Sequence, residues 1–131
     1  MNDGLKTVVE FALADTGIAA LVSDRVARDR LPGGYDNTEA AIRVSLIDGT
    51  SMADPDVNPQ RYSFHCYGGT DDLEDAFDVF NAVHGRFHDA IGTATSGGIF
   101  YSQLESMNAS IDPDEGWPVY IAIFEIKITT T

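Results

Sequence analysis

Hydrophobic residues recur at helical spacing in two parts of the chain. From Leu5 to Leu13 they return every three or four positions, directly after Asp3, whose side chain can cap a helix N-terminus. A longer stripe with the same spacing consists of Leu73, Phe77, Phe80, Val83, Phe87 and Ile91. Asp71 and Glu74 at its start have the spacing of a capping box. The pattern predicts an early helix, a short second turn at Ile18–Leu21, and a long amphipathic helix over Asp71–Ile91.

Strands are indicated by alternating polar and apolar residues. The clearest alternation lies in Ile42–Ile47 and Gln60–Tyr67. A further strand is predicted at Ile99–Met107, and a short extended piece surrounds Arg25–Arg28. The last strand, Trp117–Thr129, is apolar on both faces over most of its length. Such a strand is expected to be central in a sheet or packed against another subunit.

The order of these elements predicts an α+β fold with an antiparallel sheet of about four main strands and two helices packed on one face. The length of 131 residues predicts a single domain spanning 1–131. In its core we expect the long helix to face the sheet with Phe77, Phe80, Val83 and Phe87. These side chains should meet Tyr62 or Phe64 together with residues of the last strand.

Charge changes the picture, because the chain carries 21 Asp and Glu against 8 Lys and Arg, a net charge of −13 at pH 7. Residues 66–131 contain 11 of the acids and only two bases, Arg86 and Lys127. A protein with this excess of negative charge is not expected to bind nucleic-acid phosphates as its main function. The acidity has two interpretations, adaptation to a high-salt host and ordinary solubilising charge.

Several residues invite a chemical interpretation. His84 and His88 lie one helical turn apart, but position 85 is glycine, so the glutamate of the zinc-protease motif is missing. His65 and Cys66 are adjacent on a strand and should point to opposite faces. The Asp-Pro loops match no calcium-binding pattern, and the acidic surroundings disfavour a Cys66 thiolate. We therefore expect no enzyme activity, no cofactor and no metal.

The hydrophobic runs are all short. None approaches the roughly 18 residues needed to cross a bilayer, and the first residues lack the basic region of a secretory signal. A soluble protein without membrane partners is the expectation.

Four segments of the chain carry a resemblance to a known family. They are "IAALVSDRVARDRLP", "AAIRVSLIDG", "PQRYSFHCYGGTDDLEDAFDVFNAVHGRFHDAI" and "SMNASIDPDEGWPVYIAIFEIKITT". Together they resemble the tail-completion, or tail-terminator, proteins of long-tailed viruses of bacteria and archaea, over nearly the whole chain. The most telling stretch is the Arg-led strand Arg61–Tyr67, which passes through a small turn into the amphipathic helix and is followed by two strands separated by an acidic loop.

The resemblance implies a structural virion protein that forms a hexameric ring at the head-proximal end of the tail tube. Such a ring ends tail polymerisation, joins tail to head and lets DNA pass. Its implied partners are further copies of itself, the tail-tube protein and a head–tail connector or stopper protein. Genomic DNA would pass without specific binding, and the implied location is the neck of a virion assembled in the host cytoplasm.

Two groups of residues are candidates for the contacts of such a ring. Trp117, Tyr120 and Phe124 on the last strand are candidate anchors between subunits. The loop Gly49–Pro59 and the acidic loop before Trp117 are candidates for contact with the tube or for lining the lumen. The residues proposed for this role are Asp54, Asp56, Val57, Asp112, Asp114 and Glu115. A disordered surface loop is the alternative for Gly49–Pro59.

Other function classes remain at this point. The nearest alternative is another neck component, such as a head-completion or stopper protein, or a tail-tube subunit. A small metal- or thiol-dependent enzyme is a third, which the residues above disfavour.

Overall fold

The computed structural model describes residues 3–48 and 59–130. Within these ranges the chain forms three helices and six strands. The helices are α1 (Gly4–Leu13), α2 (Thr16–Val22) and α3 (Leu73–Phe87). The strands are β1 (Val26–Arg28), β2 (Ala41–Asp48), β3 (Gln60–Tyr67), β4 (Gly92–Ala94), β5 (Gly97–Ile111) and β6 (Pro118–Thr130).

All six strands belong to one sheet with the order β1-β2-β3-β6-β5-β4. Every neighbouring pair is antiparallel except β1 and β2, which run parallel with Val26 beside Ile42. The α+β class is confirmed, but the description as four antiparallel strands and two helices is too simple. β1 and β4 have three residues each, too few for an alternation of polar and apolar positions to show in a sequence.

The helix boundaries follow from their caps. Asp3 accepts a hydrogen bond from the Lys6 N–H at 3.0 Å, and Asp15 accepts one from the Ile18 N–H at 2.9 Å. The cap of α3 is Asp72, which accepts from the Glu74 N–H at 2.9 Å, and not Asp71 as predicted. The helix also ends earlier than predicted, at Phe87, so Ile91 lies beyond it and is 81% exposed.

The core lies between the helices and one face of the sheet. On that face β3 contributes Tyr62, Phe64 and Cys66, which the register places beside Phe124, Ala122 and Tyr120 of β6. Phe87 packs against Phe64 with ring centroids 4.8 Å apart, and Phe64 packs against Phe124 at 5.3 Å. β6 is an inner strand, as its two apolar faces predicted.

The core of α3 differs in part from the predicted stripe. Phe80, Val83 and Phe87 are buried as expected, and Ala76 and Val79 are buried with them. Phe77 is 37% exposed and contacts Tyr120 rather than the sheet centre. The reason is that the buried face of α3 is centred between the positions of Val79 and Phe80, which places Phe77 on its flank.

None of the helices in residues 3–48 and 59–130 is long and apolar enough to cross a membrane.

Candidate interaction surfaces

The predicted acidic loop is a tight turn between β5 and β6, organised by Asp112. The Asp112 N–H donates to the Trp117 carbonyl oxygen, and the Gly116 N–H donates to the Asp112 carbonyl oxygen, each at 2.8 Å. The side chain of Asp112 accepts from the N–H groups of Asp114 and Glu115 at 2.9 and 3.1 Å, and from the Tyr67 hydroxyl at 3.0 Å. Burial raises the pKa of this carboxyl, but these hydrogen bonds outweigh burial and the pKa lies below its usual value.

Trp117 belongs to an aromatic cluster beside this turn. Its ring meets Tyr35 edge-to-face at 5.4 Å and Tyr67 at 6.2 Å, and Tyr35 and Tyr67 are 6.1 Å apart. The Tyr35 hydroxyl donates to the Glu39 carbonyl oxygen at 2.7 Å. Burial, followed by the nearby Tyr67, raises the pKa of Tyr35 to about 12, so its hydroxyl stays protonated. Half-buried Trp117 therefore already anchors the 29–40 segment to the sheet of its own chain.

The turn and the aromatic cluster border an open cleft of about 490 Å³. Its lining combines aromatic rings with groups of both charges, among them Tyr35, Tyr67, Trp117, Arg30, Arg43, Asp112, Asp114 and Glu115. The structure thus brings four of the predicted contact residues, Trp117 and the three acids of the turn, to one place. The carboxylate oxygens of Asp112 already accept hydrogen bonds, Oδ1 from within the turn and Oδ2 from Tyr67 of β3, whereas Asp114 and Glu115 are exposed.

The other two predicted anchors occupy the helix-covered side of β6. Phe124 is completely buried between Phe64 and Phe87, so it offers no surface to a second subunit. Tyr120 is half-buried and stacks on Phe80 at 5.6 Å.

Asp54, Asp56 and Val57 lie outside the described residues. Their described neighbours Asp48 and Gln60 are at the end of the sheet where β3 pairs with Ile126. The Asp112 turn is at the other end, where Tyr67 pairs with Val119.

The histidines and the cysteine are dispersed. His84 and His88 stack on each other at 4.7 Å, and His88 Nδ1 accepts from the Leu104 N–H at 3.4 Å. His65 and Cys66 point to opposite faces, and burial raises the pKa of the Cys66 thiol. Among the described residues no three His, Cys, Asp or Glu side chains are placed to hold a metal ion.

His65 lies on the sheet face opposite the helices, between Arg43 and Ile121. Its Nδ1 is buried and has no hydrogen-bond partner within the part of the chain that the structure describes. Burial, helped by the charge of Arg43, lowers the pKa of His65 from 6.5 to about 4. The unfolded chain therefore binds a proton at this position at higher pH than the folded chain does.

This difference predicts a loss of stability in mild acid. The contribution of neutral His65 is complete above pH 6.5 and is lost as the pH falls toward about 4. Allowing for the solvent that reaches the ring, we expect the chain to lose about 1 to 2 kcal/mol more than a His65→Gln variant over this range. Urea unfolding of both proteins between pH 7 and pH 4 measures the difference. If the two proteins lost the same free energy of unfolding between pH 7 and pH 4, the lowered pKa of His65 in the folded chain would be contradicted.

An open sheet edge is the main feature that the sequence did not reveal. β4 pairs only with Gly97–Ile99 of β5, and the 88–89 segment covers Ser102 and Leu104 through hydrogen bonds. From Glu105 to Ile111 the outer edge of β5 faces no other described strand. The alternating polar side chains of β5 are the same as in any half-buried strand. Only the strand order of the sheet therefore shows that this part of β5 is an edge.

Exposed hydrophobic side chains lie beside this edge. Met107 and Ile111 are 44% and 60% exposed, and the register places them on the helix-covered face next to Ala122 and Pro118. Tyr120, between those two β6 residues, contacts Phe77 at 5.3 Å. We name this surface the α3–β5 patch; it consists of Leu73, Phe77, Met107, Ile111 and Tyr120.

Charges are distributed unevenly across the sheet. The first turns of α3 and the two residues before them carry five carboxylates and no Lys or Arg: Asp71, Asp72, Glu74, Asp75 and Asp78. Around β1, by contrast, four cations accompany four carboxylates. The cations are Lys6, Arg25, Arg28 and Arg30, and the carboxylates are Asp3, Asp24, Asp29 and Glu39. Two of these cations form ion pairs, Arg28 with Asp3 at 2.8 Å and Arg25 with Glu39 at 3.4 Å.

Comparison with known proteins identifies a structural neighbour. No model of a known protein family matches the chain, and no curated protein matches it. Among solved structures, a chain of "Virion of native gene transfer agent (GTA) particle" superposes with a TM-score of 0.65. The match covers 94% of this chain and 92% of that chain at 16% sequence identity. The two chains share a fold.

Proposed function

We propose that this protein is a structural component of a virion, and that it forms a hexameric ring at the head-proximal end of a tail tube. The observation that carries the proposal is the fold match to a chain of a gene transfer agent virion, which extends over nearly the full length of both chains. The resemblance of the sequence to tail-terminator proteins supports the more specific role within the particle.

Surface properties support an assembly role. The α3–β5 patch and the open edge of β5 are surfaces that assembly of identical subunits would cover. The open cleft beside the Asp112 turn, lined by aromatic rings and charged groups, is a second surface. It is suited to contact with the tail-tube protein or with a connector or stopper protein. In the proposed role the protein works through contacts with other virion proteins, without a catalytic centre or a cofactor.

The net charge of −13 fits a conduit for DNA. A ring of six such copies carries a large negative charge, which repels DNA phosphates. The genome would therefore pass through without binding. Exposed Asp114 and Glu115 are placed on the end of the sheet, where an axial face or the lumen of a ring would present them. The high-salt interpretation of the acidity stays a prediction.

The alternative is another neck component or a tail-tube subunit. The matched chain belongs to a virion particle, which is as compatible with these roles as with that of a terminator. The three roles differ in what happens to tails when the protein is missing.

Particles assembled without this chain test the proposal. If the chain ends tail polymerisation, its omission should give tubes of variable and excessive length that carry no heads, as measured by electron microscopy. Free tails of uniform, normal length would instead indicate a stopper, and a complete absence of tails would indicate a tube subunit. Restoring the chain should restore the normal length distribution, and a reconstruction of those particles should place a sixfold ring at the head-proximal end of the tube.

A further inference from the structure

We propose that the cleft between residues 29–35 and the Asp112 turn is a docking site for an arginine side chain of a neighbouring virion protein. The inference rests on the proposed function, because it names the chemistry by which one surface of this protein would hold a partner in the particle.

Both walls of the cleft are held in place by contacts within the chain. The first wall is residues 29–35, which the ring of Tyr35 fixes to the sheet through its edge-to-face contact with Trp117. The second wall is the turn, whose next two N–H groups donate to the Asp112 carboxylate at 2.9 and 3.1 Å. The volume of about 490 Å³ lies within the range of roughly 300–1,000 Å³ that is usual for small-ligand sites. A partner side chain therefore meets a formed site, which lowers the entropic cost of docking.

The charged side chains that line the cleft are predominantly acidic. They are Asp29, Arg30, Arg43, Asp112, Asp114 and Glu115. Arg43 at the base of the cleft is hydrogen-bonded to the Tyr67 hydroxyl and interacts electrostatically with Asp112. Asp29 and Arg30 are consecutive residues on the first wall, and their charges offset each other. Within the cleft, the charge without a counterpart therefore belongs to the two acids that follow Asp112.

These two acids, Asp114 and Glu115, lie on the same wall as Trp117. Both are exposed, and neither carboxylate has an ion pair or hydrogen bond with any residue that the structure describes. The rings of Trp117 and Tyr35 line the cleft beside them. Carboxylates and aromatic rings both attract a cation, and a guanidinium can stack on a ring while its N–H groups donate to carboxylates. Charge complementarity therefore selects arginine, and the net charge of −13 on the whole chain acts in the same direction.

Nuclear magnetic resonance of the full chain labelled with nitrogen-15 tests the site. The probe is a blocked tripeptide with arginine between two glycines, and its control carries citrulline, which has nearly the same shape without the charge. In about 0.1 M NaCl, where the Debye length is about 10 Å, the arginine peptide should bind in the millimolar range. Saturable shifts should appear at the indole N–H of Trp117, the only tryptophan of the chain, and at amides of the 29–35 and 112–117 segments. The citrulline peptide should bind about tenfold more weakly.

A pair of charge-matched variants separates this site from general attraction to an acidic protein. Asp114→Asn combined with Glu115→Gln removes the two free carboxylates and should weaken binding of the arginine peptide about tenfold. Glu74→Gln combined with Asp78→Asn removes the same charge from exposed positions of α3, which packs on the opposite face of the sheet from Arg43. This control should change the affinity less than about twofold. Circular dichroism confirms that each variant is folded.

Three results would overturn the proposal: equal binding of the arginine and citrulline peptides, equal weakening by the two double variants, or no shifts up to about 10 mM peptide. Binding of a tripeptide with a central glutamate in place of the arginine peptide would likewise overturn it, and would indicate that Arg30 and Arg43 select an anion. Charge-dependent binding together with normal tails in particles that lack the chain would keep the docking site and remove the terminator role. Overlong tails without arginine binding would do the reverse.

Discussion

Replacing Phe87 with alanine should lower the free energy of unfolding by about 3 to 5 kcal/mol. Phe87 is fully buried and is the aromatic residue that joins the layers of the fold. Its ring lies 5.4 Å from Phe11 of α1, 4.8 Å from Phe64 of β3 and 5.9 Å from Phe124 of β6. Truncation leaves a cavity at this junction, and urea unfolding monitored by circular dichroism measures the cost.

Phe77 is the matched control, since it has the same side chain on the same helix. It is 37% exposed and packs on Tyr120 at the flank of α3, so Phe77→Ala should cost only about 1 kcal/mol. Equal losses for the two variants would contradict the assignment of Phe87 to the core and of Phe77 to the surface patch.

Replacing Gly68 with alanine should cost about 3 kcal/mol, near the upper end for overpacking, because the added methyl group meets backbone atoms that cannot rotate away. A Cβ at position 68 would stand 2.4 Å from the Ala76 nitrogen and from the Asp75 carbonyl carbon. Gly68 directly follows β3 and lets the first turn of α3 approach the end of that strand. Relief of the clash requires α3 to move away from the sheet and to open the core. Thermal and urea unfolding measure the loss.

Gly85→Ala provides the opposite control within the same helix. A Cβ at position 85 meets nothing within 4 Å, and alanine has the higher helix propensity. This variant should therefore gain about 0.5 to 1 kcal/mol. A Gly68→Ala protein as stable as the parent would mean that the close approach of α3 to β3 is incorrect.

The position of the acids bears on how a ring would handle DNA. The carboxylates concentrate at the start of α3 and on the Asp112 turn, whereas the helix-free face of the sheet carries serines, His65 and Arg43 beside Ile121 and Ile123. Repulsion of phosphates in the proposed ring therefore depends on which of these surfaces faces the channel. The two acidic regions belong to different elements but lie at the same end of the sheet, because Tyr67 hydrogen-bonds to Asp112 and the next residue, Gly68, lies against the first turn of α3.

The sequence alone determined most of the local structure. Periodicity located α1, α3 and the strands β2, β3, β5 and β6 to within a few residues, because each is long enough for its buried face to repeat several times. The apolar residues on both faces of β6 predicted that it is central in the sheet or packed against another subunit, and the strand order shows a central position. For the candidate contact residues, the sequence placed Trp117, Asp112, Asp114 and Glu115 next to one another along the chain.

Tertiary structure decided which of these hydrophobic residues are core and which are surface. Phe77, Tyr120 and Phe124 are all large apolar or aromatic residues in the right period, yet Phe124 is fully buried, Tyr120 is half-buried and Phe77 is partly exposed. The difference arises from the position of α3 over the sheet, which no local pattern encodes. The same holds for the edges. Whether a strand is paired on one side or on both depends on residues distant in the sequence, so the open edge of β5 exists only once the strand order β1-β2-β3-β6-β5-β4 is formed.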